Sequence, residues 1–403
     1  MGANRQNLWC NDQLAETLTP LQSFTVRFRS SESTQMPHPF TPPSASSAGQ
    51  PRRLTPLNDE SSWTAKTFSG STDWIRVLEP HHIEEIDAAI RQLAERGITL
   101  DTVRAGDLRL PRLQPLLQEF LDFDISKRGF GMIRGFPVRR YTVEQCAMFF
   151  WALGTCMGKP VSQNANGDRL GAVRSKGLDF HALNVRGYQT TARLPFHCDP
   201  SDVVGLLCIN KGKSGGLSSV ISGISMYNRV LTEHPEYLDL LYRGFRYDRR
   251  GEETFYQKSI SDPVPVFSYT EPDLSIRYVR QSMETAQRKL GQPFTPQERE
   301  VLDYMEELSR RESLVYSMML EPGDMQFCNN YTVLHSRTAY EEDAEHPRHL
   351  MRLWIKVPGV RKLAPDLIEY DPASGWSRRE GIPARDAPMP KDQPDELVAG
   401  GTV

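Results

Sequence analysis

The stretch LPFHCDPSD, residues 194–202, places a histidine and an aspartate two positions apart within an otherwise apolar run. Side chains alternate between the two faces of a β-strand, so His197 and Asp199 would share one face and Phe196 and Cys198 the other. A histidine nitrogen and a carboxylate oxygen on one wall supply two of the three ligands of a facial metal site. The stretch therefore predicts a strand that holds part of a metal centre, although this spacing also occurs in proteins without one.

A second histidine lies on a strand-like run far along the chain, in EPGDMQFCNNYTVLHSRTAY, residues 321–340. A Pro-Gly-Asp turn opens this stretch, and His335 follows Tyr, Thr, Val and Leu, of which Tyr, Thr and Val favour β-structure. The distance in sequence suits a metal ligand that arrives on a distant strand of the same β-structure. The alternative is an ordinary half-buried histidine.

The stretch HPRHLMRLWIKV, residues 346–357, contains two arginines in a strand-like run. Alternation puts Arg348, Leu350, Arg352 and Trp354 on one face. Two guanidinium groups that face an apolar wall are costly unless each meets an anion, and a guanidinium is suited to a carboxylate. The alternative is that the other face of this strand points inward and that both arginines are solvated.

Short strand-like runs and a few helices alternate along the chain. Apolar periodicity and glycine stops predict four helices, over residues 79–97, 142–158, 227–244 and 295–312. Short apolar runs between turns predict strands over residues 129–136, 203–210, 275–280, 313–320 and 348–357. This pattern favours a β-sandwich or barrel with added helices over a doubly wound sheet.

The composition of the 403 residues divides the chain into three parts. Residues 1–58 are predicted to be a disordered leader, because Ser, Pro and Thr dominate residues 31–58 and cannot bury enough apolar surface. Residues 60–375 form the predicted folded domain, and residues 376–403 a flexible, proline-rich tail.

Charge and cysteine content limit the partners and the compartment. The formal net charge is -3, from 48 basic and 51 acidic residues, which argues against nucleic acid or an acidic membrane as the main partner. There is no apolar run long enough to span a membrane. Six cysteines without a C-x-x-C pair indicate reduced thiols and a cytoplasmic location. An organellar presequence is the alternative, since Arg5, Arg27 and Arg29 precede a serine-rich stretch, but Asp12 and Glu16 argue against it.

Taken together, the motifs resemble the TauD/TfdA-like family of Fe(II)/2-oxoglutarate-dependent dioxygenases. The resemblance rests on FHCD, SGGLSS and GDMQFCNNYTVLHSRT followed by PRHLMRLWI. It covers roughly residues 125–360, and residues 60–125 more loosely. It implies a mainly β fold with flanking helices, whose core is a double-stranded β-helix, or jelly-roll.

The resemblance also implies roles for single residues. His197, Asp199 and His335 would hold Fe(II) as the catalytic metal ligands. The cosubstrate 2-oxoglutarate would chelate the metal, and its far carboxylate would meet Arg348 with help from Ser218. Dioxygen would take the remaining position, and an unactivated C–H bond would be oxidised with release of succinate and CO2. Retention of the carboxylate at 199 favours hydroxylation, with desaturation and ring formation as alternatives.

Several positions depart from the taurine enzyme of this family. Its His-Pro-Val-Tyr stretch corresponds to residues 159–162, Lys-Pro-Val-Ser, and one of its asparagines corresponds to Arg193. Taurine is therefore not the expected substrate. Arg352 matches the arginine that meets the sulfonate in that enzyme, and Arg193 would share a face with His197 on a regular strand. Both are candidates to bind an acidic group of a small organic substrate, and the alternative for each is a solvated arginine.

One competing hypothesis keeps the fold but not the reaction. A non-catalytic jelly-roll could hold a structural metal or a ligand through the same three residues, with a closed coordination sphere. It gives no purpose to Arg348 and Ser218, so the sequence favours the enzyme. The resemblance also allows a homo-oligomer.

Overall fold

The computed structural model describes residues 51–100, 102–104, 106–178, 187–253, 257–371 and 375–384. Most of the predicted leader (1–50) and of the predicted tail (385–403) lies outside these described residues. The strands are β1 Ile75–Val77, β2 Phe130–Arg134, β3 Lys159–Gln163, β4 Leu170–Val173, β5 Leu194–His197, β6 Val203–Asn210, β7 Ser214–Gly215, β8 Ser218–Ser222, β9 Phe267–Thr270, β10 Asp273–Ile276, β11 Val315–Met318, β12 Met325–Asn329, β13 Val333–Arg337, β14 Tyr340–Glu341, β15 His349–Lys356 and β16 Gly381–Ile382.

Seven α-helices accompany the described strands. They are α1 Pro80–Glu95, α2 Gln114–Glu119, α3 Val143–Met157, α4 Gly223–Glu233, α5 Leu238–Arg243, α6 Arg280–Leu290 and α7 Pro296–Leu308. A π-helix, Phe120–Arg128, continues α2, and there are 3-10 turns at Ala65–Phe68, Val138–Arg140, Gly187–Gln189, Pro235–Tyr237 and Arg378–Glu380. None of the helices in the described part of the chain has the length and apolar content that a membrane crossing requires.

Two sheets form the core. The major sheet has the strand order β1-β2-β12-β6-β15-β3-β16, with β4 also paired to β15, and the minor sheet has the order β11-β8-β13-β5. One apolar cluster contains residues of both sheets, among them Val204 and Trp354 of the major sheet and Val220 and Val333 of the minor sheet. The predicted jelly-roll core is therefore confirmed, as two facing sheets that do not close into a barrel.

Helices cover the outer faces of both sheets. Leu353 and Ile355 of β15 point away from the sheet interface and belong to a cluster with α1, α2 and α3. Ile221 and Leu334 of the minor sheet belong to a cluster with α4–α7. Because both faces of a central strand are covered, β6 is apolar almost throughout (VVGLLCIN) rather than alternating.

The predicted helices over residues 79–97, 142–158 and 295–312 are confirmed as α1, α3 and α7. The predicted helix over 227–244 is wrong in its continuity. It is broken between α4 and α5 by a 3-10 turn at Pro235, which cannot donate a helical hydrogen bond.

The prediction of a strand over residues 275–280 is also partly wrong. The strand β10 ends at Ile276, and α6 begins at Arg280. The sequence pattern missed α6 because its buried side consists only of Ser282, Met283 and Ala286, which gives a weak apolar period.

The packed body extends beyond residues 60–375 at both ends. The Tyr227 hydroxyl donates a hydrogen bond to the carbonyl of Arg53 at 2.6 Å. At the other end, Gly381 and Ile382 form β16, which pairs in parallel with β3. Residues on both sides of the predicted domain therefore contribute to the described fold.

A buried ion pair ties the C-terminal segment to the sheets, just after the motif at 194–199. Asp202 accepts two hydrogen bonds from Arg379, at 2.8 and 2.7 Å, and its side chain is fully buried. The same carboxylate accepts hydrogen bonds from the Tyr331 hydroxyl and the Val357 backbone N–H, each at 2.9 Å. Asp202 therefore joins three distant segments of the chain.

Replacement of Asp202 by alanine is expected to lower the free energy of unfolding by about 3–5 kcal/mol, since it leaves a buried guanidinium without its carboxylate. Denaturant unfolding followed by circular dichroism measures this. The double variant Asp202→Ala/Arg379→Met should recover part of the loss, because the buried positive charge is removed together with the carboxylate. A loss below about 1 kcal/mol in the single variant would contradict this role.

Candidate active site

The three predicted metal ligands converge at one end of the minor sheet. His197 is the last residue of β5, and it lies directly opposite His335 of the neighbouring strand β13. One nitrogen or oxygen donor from each of His197, Asp199 and His335 lies within 4.8 Å of the other two. The two imidazole rings are 4.3 Å apart, centroid to centroid. Residues that are far apart in sequence are thus brought to one point by strand pairing.

Asp199 follows β5 and is held by hydrogen bonds from two sides. Its backbone N–H donates to the Asn330 side-chain oxygen at 3.0 Å, and the Asn330 amide donates to the carbonyl of Ser201 at 3.0 Å. The Trp354 indole N–H donates to the Asp199 carboxylate at 2.9 Å. These hydrogen bonds fix the backbone and the carboxylate of Asp199, whose side chain is only 8% exposed.

The electrostatics of the site favour the metal-binding forms of His197 and Asp199. Burial, together with the nearby imidazole of His335, lowers the pKa of His197 to about 4. Burial alone would raise the pKa of Asp199, but Arg352 and the two histidines outweigh it and hold that pKa well below its usual range. At neutral pH, His197 is therefore uncharged and Asp199 ionised, which are the states that bind metal.

The donor set fits iron. His197 Nε2 lies 3.8 Å from one carboxylate oxygen of Asp199, and His335 Nε2 lies 3.7 Å from the other. Two imidazoles and one carboxylate on one side of a site form the facial triad of non-haem Fe(II) oxygenases. The Nδ1 atom of His197 is 2.9 Å from the carbonyl of Pro195, a contact that orients the ring from behind.

A small cavity of about 50 Å³ adjoins the triad between the two sheets. Its lining includes His197, Asp199, His335, Ser218 and Arg348. Arg348 is 6% exposed, so the arginine predicted to face inward does so.

The Arg348 guanidinium is available to a ligand in this cavity. Its Nη1 atom is buried and has no hydrogen-bond partner among the described residues. Gly216, with a φ of +73°, makes room for it, since a Cβ there would lie 3.2 Å from Arg348 Nε. A buried guanidinium with a donor that is unused among the described residues fits the far carboxylate of a keto acid whose other end reaches the metal.

A second, larger cavity of about 670 Å³ is lined by two members of the triad, His197 and Asp199. It shares His197, Asp199, Tyr188, Leu194 and Arg352 with the small cavity. The triad therefore lies where the two spaces meet, so that a cosubstrate and a substrate can approach the same metal from different directions.

Arg352 stands at the junction of the two cavities. Its guanidinium stacks between the rings of Tyr188 and Trp354, at 4.7 and 4.8 Å from their centroids. Its Nε donates to Gln163 at 2.7 Å, and its Nη1 lies 3.8 Å from the Asp199 carboxylate. These contacts hold a positive charge at the edge of the larger cavity, beside the metal ligands.

Arginines are numerous around the larger cavity. Its lining contains eight arginines and six aspartates or glutamates. The arginines are Arg249, Arg250, Arg277, Arg280, Arg288, Arg310, Arg352 and Arg378. Three of them, Arg249, Arg277 and Arg378, surround the single buried carboxylate of Glu369. With Glu369 included, eight arginines face seven acidic side chains, so the wall carries a small excess of positive charge.

Arg193, a predicted substrate contact, is not brought to the site. The strand β5 begins at Leu194, where a register shift pairs it with Arg337, so Arg193 precedes the paired residues. Its side chain is exposed, and it belongs to the lining of neither cavity. The assumption of a regular strand through 193 is wrong, and this explains the difference.

The sequence pattern missed several residues that shape the site. Trp354 was expected on the inward face, but its hydrogen bond to Asp199 could not be foreseen from alternation. Gln163 and Tyr188, which hold Arg352, come from separate segments of the chain. Arg337, two residues after His335 on β13, also lines the small cavity.

Comparisons with known proteins agree with this geometry. Residues 89–354 match the family described as taurine catabolism dioxygenase TauD, TfdA family. FR-33289 synthase of Streptomyces rubellomurinus is 34% identical over 326 residues, which cover 78% of this chain and 94% of that protein. A taurine hydroxylase-like protein of Stachybotrys chartarum is 25% identical and covers 78% of this chain and 86% of its own length.

Solved structures share the fold at lower identity. Asparagine oxygenase in complex with Fe(II), 3-hydroxyasparagine and succinate aligns with a TM-score of 0.56 and 17% identity, over 78% of this chain and all of that one. The non-haem iron oxygenase OrfP with Fe and α-ketoglutaric acid aligns with a TM-score of 0.52 and 14% identity, over 70% of this chain and 94% of that one. On the extent of the family match and the 34% identical relative, the chain belongs to the TauD/TfdA family of Fe(II)/2-oxoglutarate-dependent dioxygenases.

Proposed function

We propose that this enzyme hydroxylates an unactivated C–H bond of a small organic molecule that carries an acidic group. The single observation that supports the reaction most directly is the junction of two cavities at the triad His197, Asp199 and His335. The balanced reaction consumes one substrate, one 2-oxoglutarate and one O2, and it releases hydroxylated product, succinate and CO2.

In this proposal each part of the site has one task. The two histidines and Asp199 hold Fe(II), and Arg348 binds the far carboxylate of 2-oxoglutarate in the small cavity. When bound, the iron and the keto acid together supply the activation of dioxygen. The protein contributes fixed positions, a carboxylate braced by Trp354 and Asn330, and burial that keeps bulk water from the triad.

The acidic group of the substrate is inferred from the charge of the larger cavity. Arg352 is 8% exposed and stands beside the metal ligands, with Tyr188 and Trp354 on either side of its guanidinium. A substrate anion that contacts Arg352 would lie in the larger cavity and within reach of the metal. The excess of arginine over acidic residues in this wall would favour the same orientation of the substrate.

Taurine is not the substrate that we propose. Lys159, which replaces a substrate-side histidine of the taurine enzyme, pairs with Glu380 at 3.0 Å. The Ser162 hydroxyl donates to the carbonyl of Asn164 at 3.0 Å. Neither Lys159 nor Ser162 lines the larger cavity, so these two taurine contacts have no counterpart there, although Arg352 does line it.

Succinate release tests the proposed reaction. Purified enzyme with Fe(II), 2-oxoglutarate and O2 should release succinate slowly alone and faster with the right substrate. We would compare pairs of small molecules that differ only in a carboxylate against a carboxamide. Stimulation by the acids and not by the amides is expected, whereas equal stimulation by both would contradict an acidic substrate.

Replacement of Arg352 by glutamine is expected to raise the KM for the acidic substrate about tenfold or more, because a hydrogen-bonded counter-charge is lost. The KM for 2-oxoglutarate is expected to change far less, since Arg348 remains. Steady-state kinetics of succinate release, with each compound varied in turn, separates the two effects. A KM for the acidic substrate that stays at the parent value would place its anion elsewhere.

A further inference from the structure

The small cavity holds a second buried arginine besides Arg348. Arg337 and Arg348 are 5% and 6% exposed, and both line this space together with the triad. Within the described ranges, neither side chain has a carboxylate at ion-pair distance. The Nη1 atoms of both are buried without a hydrogen-bond partner among these residues. Two buried guanidinium groups in one small cavity, each with an unused Nη1 donor, are costly unless a ligand brings negative charge.

The fold places both arginines toward the same ligand. Arg337 is two residues after His335 on β13, so alternation points it to the same side. Arg337 and Arg348 both contact the ring of Tyr340, at 4.7 and 4.8 Å from its centroid. Burial and then the charge of Arg348 lower the pKa of Arg337 to about 10, and the charge of Glu342 offsets this only in part.

Ser218, the residue expected to assist Arg348, is engaged elsewhere. Its hydroxyl donates to the side-chain oxygen of Gln326 at 2.6 Å. In this orientation the Ser218 oxygen can only accept, and a carboxylate cannot donate to it. Arg337 Nη1, which lacks a hydrogen-bond partner among the described residues, is a donor in the same cavity that can take this place.

We propose that Arg337 is a cosubstrate-binding residue that shares the far carboxylate of 2-oxoglutarate with Arg348. This inference rests on the proposed function and deepens it, because it makes a pair of arginines the determinant of dicarboxylate specificity. Arg337 Nη2 donates to the carbonyls of Thr190 and Ala192, and Nε donates to the carbonyl of Thr338. These hydrogen bonds fix the position of the guanidinium.

A specificity ratio distinguishes this role from a purely structural one. We would measure kcat/KM for 2-oxoglutarate and for 2-oxopentanoate, which has a methyl group in place of the far carboxylate. In Arg337→Met the ratio of the two values should fall about tenfold or more, the loss of one hydrogen bond to a charged group. A residue that only clamps Thr190 and Ala192 would lower both values together and leave the ratio unchanged.

Two further variants complete the test. Arg337→Lys keeps the positive charge but loses the hydrogen bonds to Thr190 and Ala192. The ratio of the two kcat/KM values should fall only about threefold in this variant. This variant decides the matter if Arg337→Met does not fold. Ser218→Ala should change the ratio less than Arg337→Met, and Arg139→Met, at an exposed position, should not change it. An unchanged ratio in the folded Arg337 variants would overturn the inference.

Binding to the metal-free protein gives an independent readout. Glutarate, which has both carboxylates but no keto oxygen, should raise the melting temperature of the parent more than pentanoate does. This difference should shrink in Arg337→Met and remain in Arg139→Met. If the parent releases no succinate from 2-oxoglutarate, the proposed function fails, whereas normal release with an unchanged Arg337→Met ratio contradicts this inference alone.

Discussion

Asp199→Ala is expected to reduce 2-oxoglutarate-dependent succinate release at least about 100-fold. Loss of a residue that only hydrogen-bonds to a metal ligand already lowers metal affinity or activity about 10–100-fold. The carboxylate is the only acidic donor of the triad, and its oxygens lie 3.8 and 3.7 Å from the two histidine nitrogens. Without it, two imidazoles remain as metal ligands, next to the positive charge of Arg352. Iron binding should weaken accordingly.

Metal content and activity should fall together in this variant. Bound iron after anaerobic reconstitution, and succinate release in air, are the two measurements. Asp239→Ala is the matched control, because the Asp239 side chain is 84% exposed and pairs only at the surface, with Arg52. His197→Ala should behave like Asp199→Ala. Parent-like iron content and turnover in Asp199→Ala would remove Asp199 from the metal site.

Arg348→Gln is expected to raise the KM for 2-oxoglutarate about 30-fold or more. Removal of one partner of a buried, hydrogen-bonded charge pair costs about 2 kcal/mol or more, and about 1.4 kcal/mol corresponds to a factor of ten. The guanidinium is 6% exposed and its Nη1 has no partner among the described residues, so water cannot readily replace the lost contact.

The effect should be specific to the cosubstrate. Initial rates at varied 2-oxoglutarate, with iron and primary substrate saturating, measure the KM, and kcat at saturating 2-oxoglutarate should fall less. Arg139→Gln, at an exposed position, is the control for the loss of one positive charge. If Arg348→Gln kept the parent KM while Arg352→Gln raised it, the roles assigned to the two arginines would have to be exchanged.

The ligand positions could be predicted from the sequence because they depend on local rules. Two-residue alternation puts His197 and Asp199 on one side, and a β-rich run around His335 places it on another strand. The same rule put Arg348 and Arg352 on the inward face, and both are buried. These inferences need only the period of a strand and the cost of a buried charge.

Other features depend on contacts between distant segments, which no local pattern reports. Arg379 lies in the predicted tail, yet its partner Asp202 is in the centre of the chain. The engagement of Ser218 by Gln326 is of the same kind. Arg193 lies outside the active site because of where β5 begins and because of the register shift between β5 and β13. Only the assembled sheets determine these relationships.

Anaerobic binding of 2-oxoglutarate to the Fe(II)-loaded protein tests the central claim most directly. Chelation of ferrous iron by a keto acid gives a visible charge-transfer absorption band. After O2 is admitted the band should disappear, with one succinate formed per 2-oxoglutarate consumed. We expect the band in the parent and no band in Asp199→Ala. In Arg348→Gln the band should be absent at low concentrations of 2-oxoglutarate. A parent protein that shows no band, retains zinc tightly and consumes no oxygen would contradict the account.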